Sequence, residues 1–548
     1  FWAKYLRPPK EEYWDYIIER RDMLVPQDVR ERKGSFFTPQ RWVELSQRYI
    51  AEVLGENWQD EYYVWDCAAG TGNLLIGLTN KYNIYASTLD KADVDVIRDR
   101  IENGANLLEN HVFQFDFLND EFLPKAKGGK LPDKLFEIIS DEEKSKKLIV
   151  YINPPYAEAG DSKQRTGTGK NKDGVSNANK TVKTYKLMLG KASNELFTQF
   201  LIRIHCEIQR CKIANFAKLK ALCASNFGVF RENFRAKLEK LFVIPADTFD
   251  NVHGQFPIGF HVWDTDKKQK FESISADVYD KDGNLSGEKV FYFYDDNKKG
   301  RINQWLRKHN DTKTLQGIGY LMADAPDFQN NRVVNIQNKK GIRHGIYVLI
   351  TTTNLIPACI YFAVRKVIPE NWLNDRDQFL FPNDYWKSDI EFKTDCFTYT
   401  LFNNNISAKH GTNHWIPFIE SEVNSREKFN SNLMTDFIAG KVKLEKENSL
   451  FEEERTKPRP LSFSPQALAV FDAGRELWKY YHSQKNIDVN ASFYDIREFF
   501  QGRNDTGKMN NKSNDEKYNE LIGNLRQELK FLAKKIEPKV YEYGFLMR

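Results

Sequence analysis

In the first third of the chain, short apolar runs recur, each closed by an acid or an amide and followed by a stretch with helical spacing. "YYVWD" ends at Asp66, "YNIYASTLD" at Asp90, "HVFQFD" at Asp116 and "KLIVYIN" at Asn153. Strands alternating with helices predict a parallel, doubly wound sheet. Ligands of such sheets sit beyond the carboxyl ends of the strands, so one pocket is expected to collect all four polar residues. Before the first strand, Trp42, Val43, Leu45, Ile50, Val53 and Leu54 have helical spacing, and Thr38-Pro39 reads as an N-cap followed by proline at the first helical position. After the fourth strand a helix, "NELFTQFLIRIHCEI", is expected, then strands around 219–224 and 241–244. With 259–263 these make seven, the last two antiparallel and joined by the loop 247–257.

From about residue 266 the texture changes. "EKVFYFYDD" alternates like a strand, and "GRINQWLRKH" reads as a short helix. "GIYVLITTTNLIPACIYFAVRKVI" mixes strand and helix signals around Pro357. "LSFSPQALAVFDAGRELWKYYHS" is an amphipathic helix with a Ser464-Pro465 start, and the segment "DEKYNELIGNLRQELKFLAKKIEP" has helical spacing. Three regions follow: an N-terminal helical arm over 1–33, an α/β domain over 34–266, and an α+β domain with a helical C-terminal part over 267–548.

Composition adds limits. Hydrophobic residues make up 41% of the 548 and charged residues 29%, enough for a sizeable core with a solvated surface, and no run approaches the ~18 apolar residues of a membrane span. The net charge of +5 permits an anionic partner without specifying one. The six cysteines contain no C-x-x-C pair and are read as buried thiols in a reducing cytoplasm. No metal site is expected. Pro132-Asp133 and Glu142-Glu143-Lys144 match the letters of a P-D…E-x-K nuclease, but no apolar strand carries them to a shared Mg²⁺, so they are read as a solvated charged stretch.

The turn after Asp66 is Cys67-Ala68-Ala69-Gly70-Thr71-Gly72-Asn73. Small residues let the backbone approach a ligand, and the amphipathic helix expected next presents free N–H groups. The same turn also suits a tight strand–helix junction with no ligand. A dinucleotide site wants G-x-G-x-x-G, and the third glycine is absent. Acids at the ends of successive strands repel polyphosphate but accept hydrogen bonds from ribose hydroxyls and amino groups.

The order "GSFFTP", glycine turn, Asn153-Pro154-Pro155-Tyr156 and long C-terminal extension resembles the S-adenosylmethionine-dependent DNA adenine-N6 methyltransferases of the gamma arrangement. The resemblance covers roughly 34–264, and "QFLFPNDYW" and "FTYTLFNNN" extend it toward restriction–modification enzymes. It implies a Rossmann-like class I methyltransferase fold with a seven-stranded, mostly parallel sheet, a C-terminal target-recognition domain, and S-adenosyl-L-methionine as cofactor. Its partner is double-stranded DNA, with a cognate restriction endonuclease as a separate chain or fused upstream of Phe1, and its setting is the bacterial cytoplasm or nucleoid. By the same resemblance, Thr38 meets the methionine carboxylate, and Asp66, Ala68, Gly70 and Gly72 surround the methionine moiety. Asp90 accepts from ribose, Asp116 accepts from the cofactor's adenine, and Phe117 stacks on that ring. Many relatives carry an acid two positions before Asp90, where this chain has Thr88, so the ribose contact is open between Thr88 and Asp90. The Asn153 side-chain oxygen and the Pro154 carbonyl accept from the target amine, Pro155 stiffens the turn, and Tyr156 and Phe256 hold the flipped base. A core-packing role serves Phe256 equally well. Methyltransferases acting on a protein glutamine share the tetrapeptide, so transfer to protein or RNA is the alternative, as is a catalytically silent DNA-binding relative.

Residues 160–186 carry seven Lys or Arg against two Asp. The segment reads as a flexible basic loop whose Lys163, Arg165, Lys170, Lys172 and Lys180 grip DNA phosphates beside the flipped base.

Overall fold

The central strands form because their sequences leave no polar face. β2 (Ile84–Thr88) and β4 (Leu148–Ile152) are buried at every position, as is β1 (Tyr63–Asp66) after its first residue. Continuous apolar runs of this kind belong to parallel strands covered on both faces. The computed structural model describes residues 10, 38–156, 179–249, 254–294, 300–310, 317–341, 345–442 and 459–547. Two compact units are present: Phe1–Tyr294 with Asn371–Leu373, and Asp295–Glu370 with Asn374–Arg548.

The first unit is a mixed α/β unit built on a mostly parallel sheet of nine strands, ordered β3-β2-β1-β4-β5-β7-β6-β8-β9. Its other strands are β3 (Val112–Gln114), β5 (Lys212–Lys218), β6 (Ala236–Pro245), β7 (Pro257–Lys268), β8 (Ser273–Tyr279) and β9 (Leu285–Tyr292). β7 runs antiparallel to both β5 and β6, as the sequence suggested for the last pair. Three expectations change. The fifth strand is Lys212–Lys218, whose buried interior lies between two lysines, while the run at 219–224 winds into the one-turn helix Lys220–Cys223. The sheet does not stop at seven strands. β8 pairs parallel with β6, and β9 pairs antiparallel with β8, which satisfies backbone groups that an edge at β6 would leave open. Accordingly "EKVFYFYDD" belongs to this sheet, and the boundary expected at 266 falls inside β7.

The helix Gln40–Leu54 lies against one face of the sheet through Trp42, Val43, Tyr49 and Ile50, all buried. Ser46 bonds the Tyr151 hydroxyl beneath it at 2.5 Å, and Tyr49 donates to Asp277 of β8.

The second unit combines a three-stranded antiparallel sheet, β11 (Asn335–Gln337), β10 (Gly319–Ala323) and β12 (Ile346–Ile350), with several helices. The expected helices are present at Ile302–Lys308, Pro465–His482 and Glu516–Glu542, and Ser464 caps the second by accepting from Ala467 N–H at 3.1 Å. Pro357 does not separate strand from helix. It sits in the first turn of Leu355–Lys366, where a missing N–H costs nothing. Arg365 is fully buried yet satisfied: its guanidinium donates to Asn331 Oδ1, the Tyr361 hydroxyl and the carbonyls of Ala325 and Asp327. No helix among the described residues is long and apolar enough to cross a membrane, and all six cysteines are free thiols, five of them buried.

Candidate active site

In the order β3-β2-β1-β4-β5, the chain lays strands to one side of β1 and then to the other side from β4. Loops leaving the carboxyl ends of β1 and β4 diverge there and open a crevice. β1 delivers the glycine turn and β4 delivers the Asn153–Tyr156 tetrapeptide. The register pairs Trp65 with Val150, so Asp66 ends its strand one residue later and Asn153 leaves the neighbouring strand just beyond.

Asp66 is 1% exposed and accepts the Ala68 N–H at 3.0 Å. Burial pushes its carboxyl up to about 8, opposed only in part by that hydrogen bond. The Ala69 N–H donates to the Ser87 carbonyl of β2 at 3.0 Å, drawing the turn against the next strand. Gly70 and Gly72 have φ of 51° and 83°, a left-handed backbone that side chains disfavour. The amphipathic helix expected after the turn is absent. A single 3-10 turn, Asn73–Leu75, takes its place. Gly72 and Gly77 (φ 85°) break the helix on either side, and Leu74, Leu75 and Leu78 are apolar because they face the core. The turn is held instead by Arg100, on the helix Lys91–Glu102 after β2, which donates to the Thr71 carbonyl at 2.6 Å and to Asn73 Oδ1 at 3.3 Å. No motif spacing marks Arg100 in the sequence.

Thr38 does not cap the helix after it. Pro39, in an extended conformation, is the N-cap residue, and its carbonyl receives the Trp42 and Val43 N–H groups at 2.9 and 3.2 Å. One residue too early to cap, Thr38 turns inward instead. Its carbonyl accepts from Asn73 Nδ2 at 3.0 Å, and its hydroxyl accepts from Asn153 Nδ2 at 2.7 Å. The Asn153 Oδ1 accepts from the Tyr156 hydroxyl at 2.6 Å. The Tyr156 ring is buried edge-on to Phe249, with centroids 6.3 Å apart, and burial raises its phenol well above the usual range, so it stays a protonated donor. Pro154 is buried and Pro155 half-buried. Lys218, at the end of β5, donates to the Tyr156 carbonyl at 3.1 Å and, with Lys220, pairs with the buried Glu195. A continuous hydrogen-bonded path thus runs from Arg100 through Asn73, Thr38 and Asn153 to Tyr156 and Lys218. Phe256 is half-buried just before β7 and packs against the same core cluster as Tyr156 and Phe249.

The other expected residues lie around this centre. Asp90 is half-buried at the N-cap position of the helix Lys91–Glu102. Thr88 is buried, and its hydroxyl donates to Asp93 Oδ2 at 3.2 Å, so that helix's own first turn already takes its proton. Asp116 accepts from the Leu118 N–H at 3.1 Å and from Asn119 Nδ2 at 2.8 Å. Phe117 is a core residue: it is 3% exposed, stacked on Phe200 with centroids 4.9 Å apart, and flanked by Trp65 and Phe122. Arg203 donates to its carbonyl and lies over its ring, so no face is open to a planar ligand. Lys180 opens the helix Lys180–Leu189, where its N–H donates to Asn119 Oδ1 at 3.0 Å and its ammonium pairs with Glu121 at 2.6 Å. Lys163, Arg165, Lys170 and Lys172 fall outside the described residues, as do 34–37 and all of the expected N-terminal arm except Lys10.

No protein-family profile and no curated protein match the chain. Solved structures do. A methyltransferase subunit of a type I restriction–modification system from Streptococcus thermophilus is 17% identical at a TM-score of 0.32, over 49% of this chain and 52% of that one. A putative class I S-adenosylmethionine-dependent methyltransferase from Listeria monocytogenes is 13% identical at 0.29, over 51% and 76%. The type IIG restriction endonuclease BpuSI is 12% identical at 0.35, over 96% and 68%. This chain spans about half the length of the first of these.

Proposed function

We propose that this chain is an S-adenosylmethionine-dependent DNA methyltransferase of restriction–modification type, acting on the N6 amine of an adenine flipped out of duplex DNA. The observation that carries this reading is the placement of Asn153 at the end of β4, on the crevice shared with the glycine turn, with its amide held between the Thr38 and Tyr156 hydroxyls.

The residues around the crevice fit the cofactor. Asp66 is a buried acid whose carboxyl desolvation raises to about 8, and a cationic amino group beside it would favour its ionised form and release its proton. Left-handed Gly70 and Gly72, with Ala68, keep side chains out of the turn. Thr38 suits the carboxylate, and Asp90 and Asp116 are carboxylates, the acceptor type that ribose hydroxyls and an adenine amine need. When bound, the cofactor supplies an electrophilic methyl group on sulfur.

The protein's own work is on the acceptor. An adenine amine is a poor nucleophile because its lone pair is delocalised into the ring. Hydrogen bonds from its two N–H groups to Asn153 Oδ1 and the Pro154 carbonyl draw the nitrogen toward tetrahedral geometry and localise that lone pair. Positioning and electrostatics carry the step, without a strong general base. Because Tyr156 is buried and bonded to Asn153, stacking on the base requires its side chain to swing out. That movement gives up the 2.6 Å bond and frees a lone pair of Oδ1. Phe256 offers a second aromatic surface. Flipping costs a few kcal/mol of unstacking, offset by these contacts, by the lysines of 160–186 on phosphates, and by base reading from the second unit as target-recognition domain.

Incubation with methyl-labelled cofactor and separate duplex DNA, RNA and protein substrates tests the reading. Label is expected in DNA. Label confined to RNA or protein, or transfer to none of the three, overturns it.

A further inference from the structure

Within the second unit, three stretches far apart in sequence meet around one cleft of about 450 Å³: the loop after β11, the turn after the helix Ile390–Leu401, and the helix Phe493–Gln501 with the loop that follows it. Hydrogen bonds tie the three walls together. Asn338 Oδ1 accepts the Ser407 N–H at 2.8 Å, the Ser407 hydroxyl donates to Asp495 Oδ1 at 2.5 Å, and the Ala408 N–H donates to Asp495 Oδ2 at 2.8 Å. On this frame the cleft presents Lys339, Lys340, Lys409 and Arg503, all exposed, against one carboxylate, Glu498. Glu498 accepts from Lys409 at 2.9 Å and from Arg503 Nε at 2.6 Å. Arg503 is a strut, since its other nitrogens donate to the Tyr494 hydroxyl at 2.6 Å and the Gly507 carbonyl at 2.7 Å. Lys409 still keeps 63% of its side chain in solvent. Lys340 lies over the Tyr347 ring, and among the described residues no carboxylate of the cleft pairs with it or with Lys339.

The lining selects among partners. Small-molecule pockets are mostly apolar, whereas among the described residues this cleft carries a single ring, Tyr494, and no aliphatic apolar side chain. The cores of protein–protein interfaces are depleted of lysine. Nucleic-acid interfaces are polar and strongly positive, and their phosphate oxygens are taken by Lys, Asn, Ser and Tyr groups of the kinds gathered here. We infer that this cleft seats a nucleic-acid backbone, with Lys339, Lys340 and Lys409 on phosphates and the exposed Asn405 amide beside them. The inference rests on the proposed function only for the identity of that partner as duplex DNA. Glu498 sets the strength of the grip: it holds Lys409 and offsets a charge that phosphate would otherwise meet.

The test follows the fluorescence anisotropy of a labelled duplex of mixed sequence, titrated with the full chain at several salt concentrations. Removing both Lys339 and Lys340 (Lys339→Gln with Lys340→Gln) is expected to flatten the slope of log affinity against log salt by about 0.9 per lost contact and to weaken binding at least about tenfold at ~0.1 M salt. A control pair outside the cleft, Lys530→Gln with Lys534→Gln on the helix Glu516–Glu542, loses the same charge and is expected to leave the slope unchanged. Glu498→Gln is expected to act in the opposite direction, tightening binding about threefold, a gain that misfolding does not produce. An unchanged slope in the cleft pair, an equal loss in the control pair, weaker binding by Glu498→Gln, or a loss confined to single-stranded RNA would each overturn the inference. A wild type that binds and methylates duplex DNA while the cleft variants match it would bring down the inference alone. A wild type that binds no duplex would bring down the proposed function with it.

Discussion

Asp66 is the residue whose protonation best reports on the site. Its carboxyl is raised from 3.8 to about 8 by burial, so the fold disfavours its charged form. The penalty is absent below about pH 4, grows as pH rises through the window to about pH 8, and is then fully present. Asp66→Asn is therefore expected to raise the apo protein's Tm at pH 8, by about 1 kcal/mol or more in stability, and to leave it unchanged near pH 4. It is also expected to weaken cofactor binding at least about tenfold, which is ~1.4 kcal/mol. Titration calorimetry in buffers of different ionisation enthalpy should show proton release when the wild type binds cofactor at pH 7, and an unchanged proton count in Asp66→Asn would remove the acid from the site. At this scale Asp66 and Asn153 were legible because each is a polar residue that stops an apolar run. Thr38 was legible as a residue and misread in role: the pattern shows a cap, whereas its hydroxyl partner lies 115 positions away. Phe117 was misread because sequence does not tell which face of a turn packs against Phe200.

The glycine turn and its neighbours show how elements share the task. Without a following α-helix, the turn depends on the guanidinium of Arg100 on the helix Lys91–Glu102. Arg100→Met is expected to lower cofactor affinity about tenfold while Asn153-dependent steps at saturating cofactor keep most of their rate. Equal losses in affinity and saturated rate in single-turnover assays would mean that the turn and the tetrapeptide are not separately held. Gly72→Ala adds strain of ~1–2 kcal/mol at a left-handed φ of 83°, and its Tm is expected to fall accordingly. The parallel core was readable because fully buried strands are short and uniformly apolar. β8 and β9 were not assigned to it, since half-exposed edge strands with alternating residues read equally well as the start of another domain. β5 was misplaced by a few residues because a one-turn buried helix and a strand share the same apolar letters.

For the whole molecule, the proposed function assigns methyl transfer to the first of the two units and sequence reading to the second. A fragment of residues 1–294 is expected to bind cofactor with near-intact affinity and to lose its preference for cognate over scrambled duplex in competition binding, and retained preference would place base reading in the first unit. The reaction itself is read by comparing the intact chain with Asn153→Ala. Each is incubated with duplex DNA at equal cofactor occupancy, and the DNA is digested to nucleosides for mass spectrometry. The expected product is N6-methyldeoxyadenosine from the wild type, with a rate about 10²–10³ lower for Asn153→Ala. Methyl groups found on cytosine or in no nucleoside, or an Asn153→Ala rate within twofold of the wild type, would contradict it.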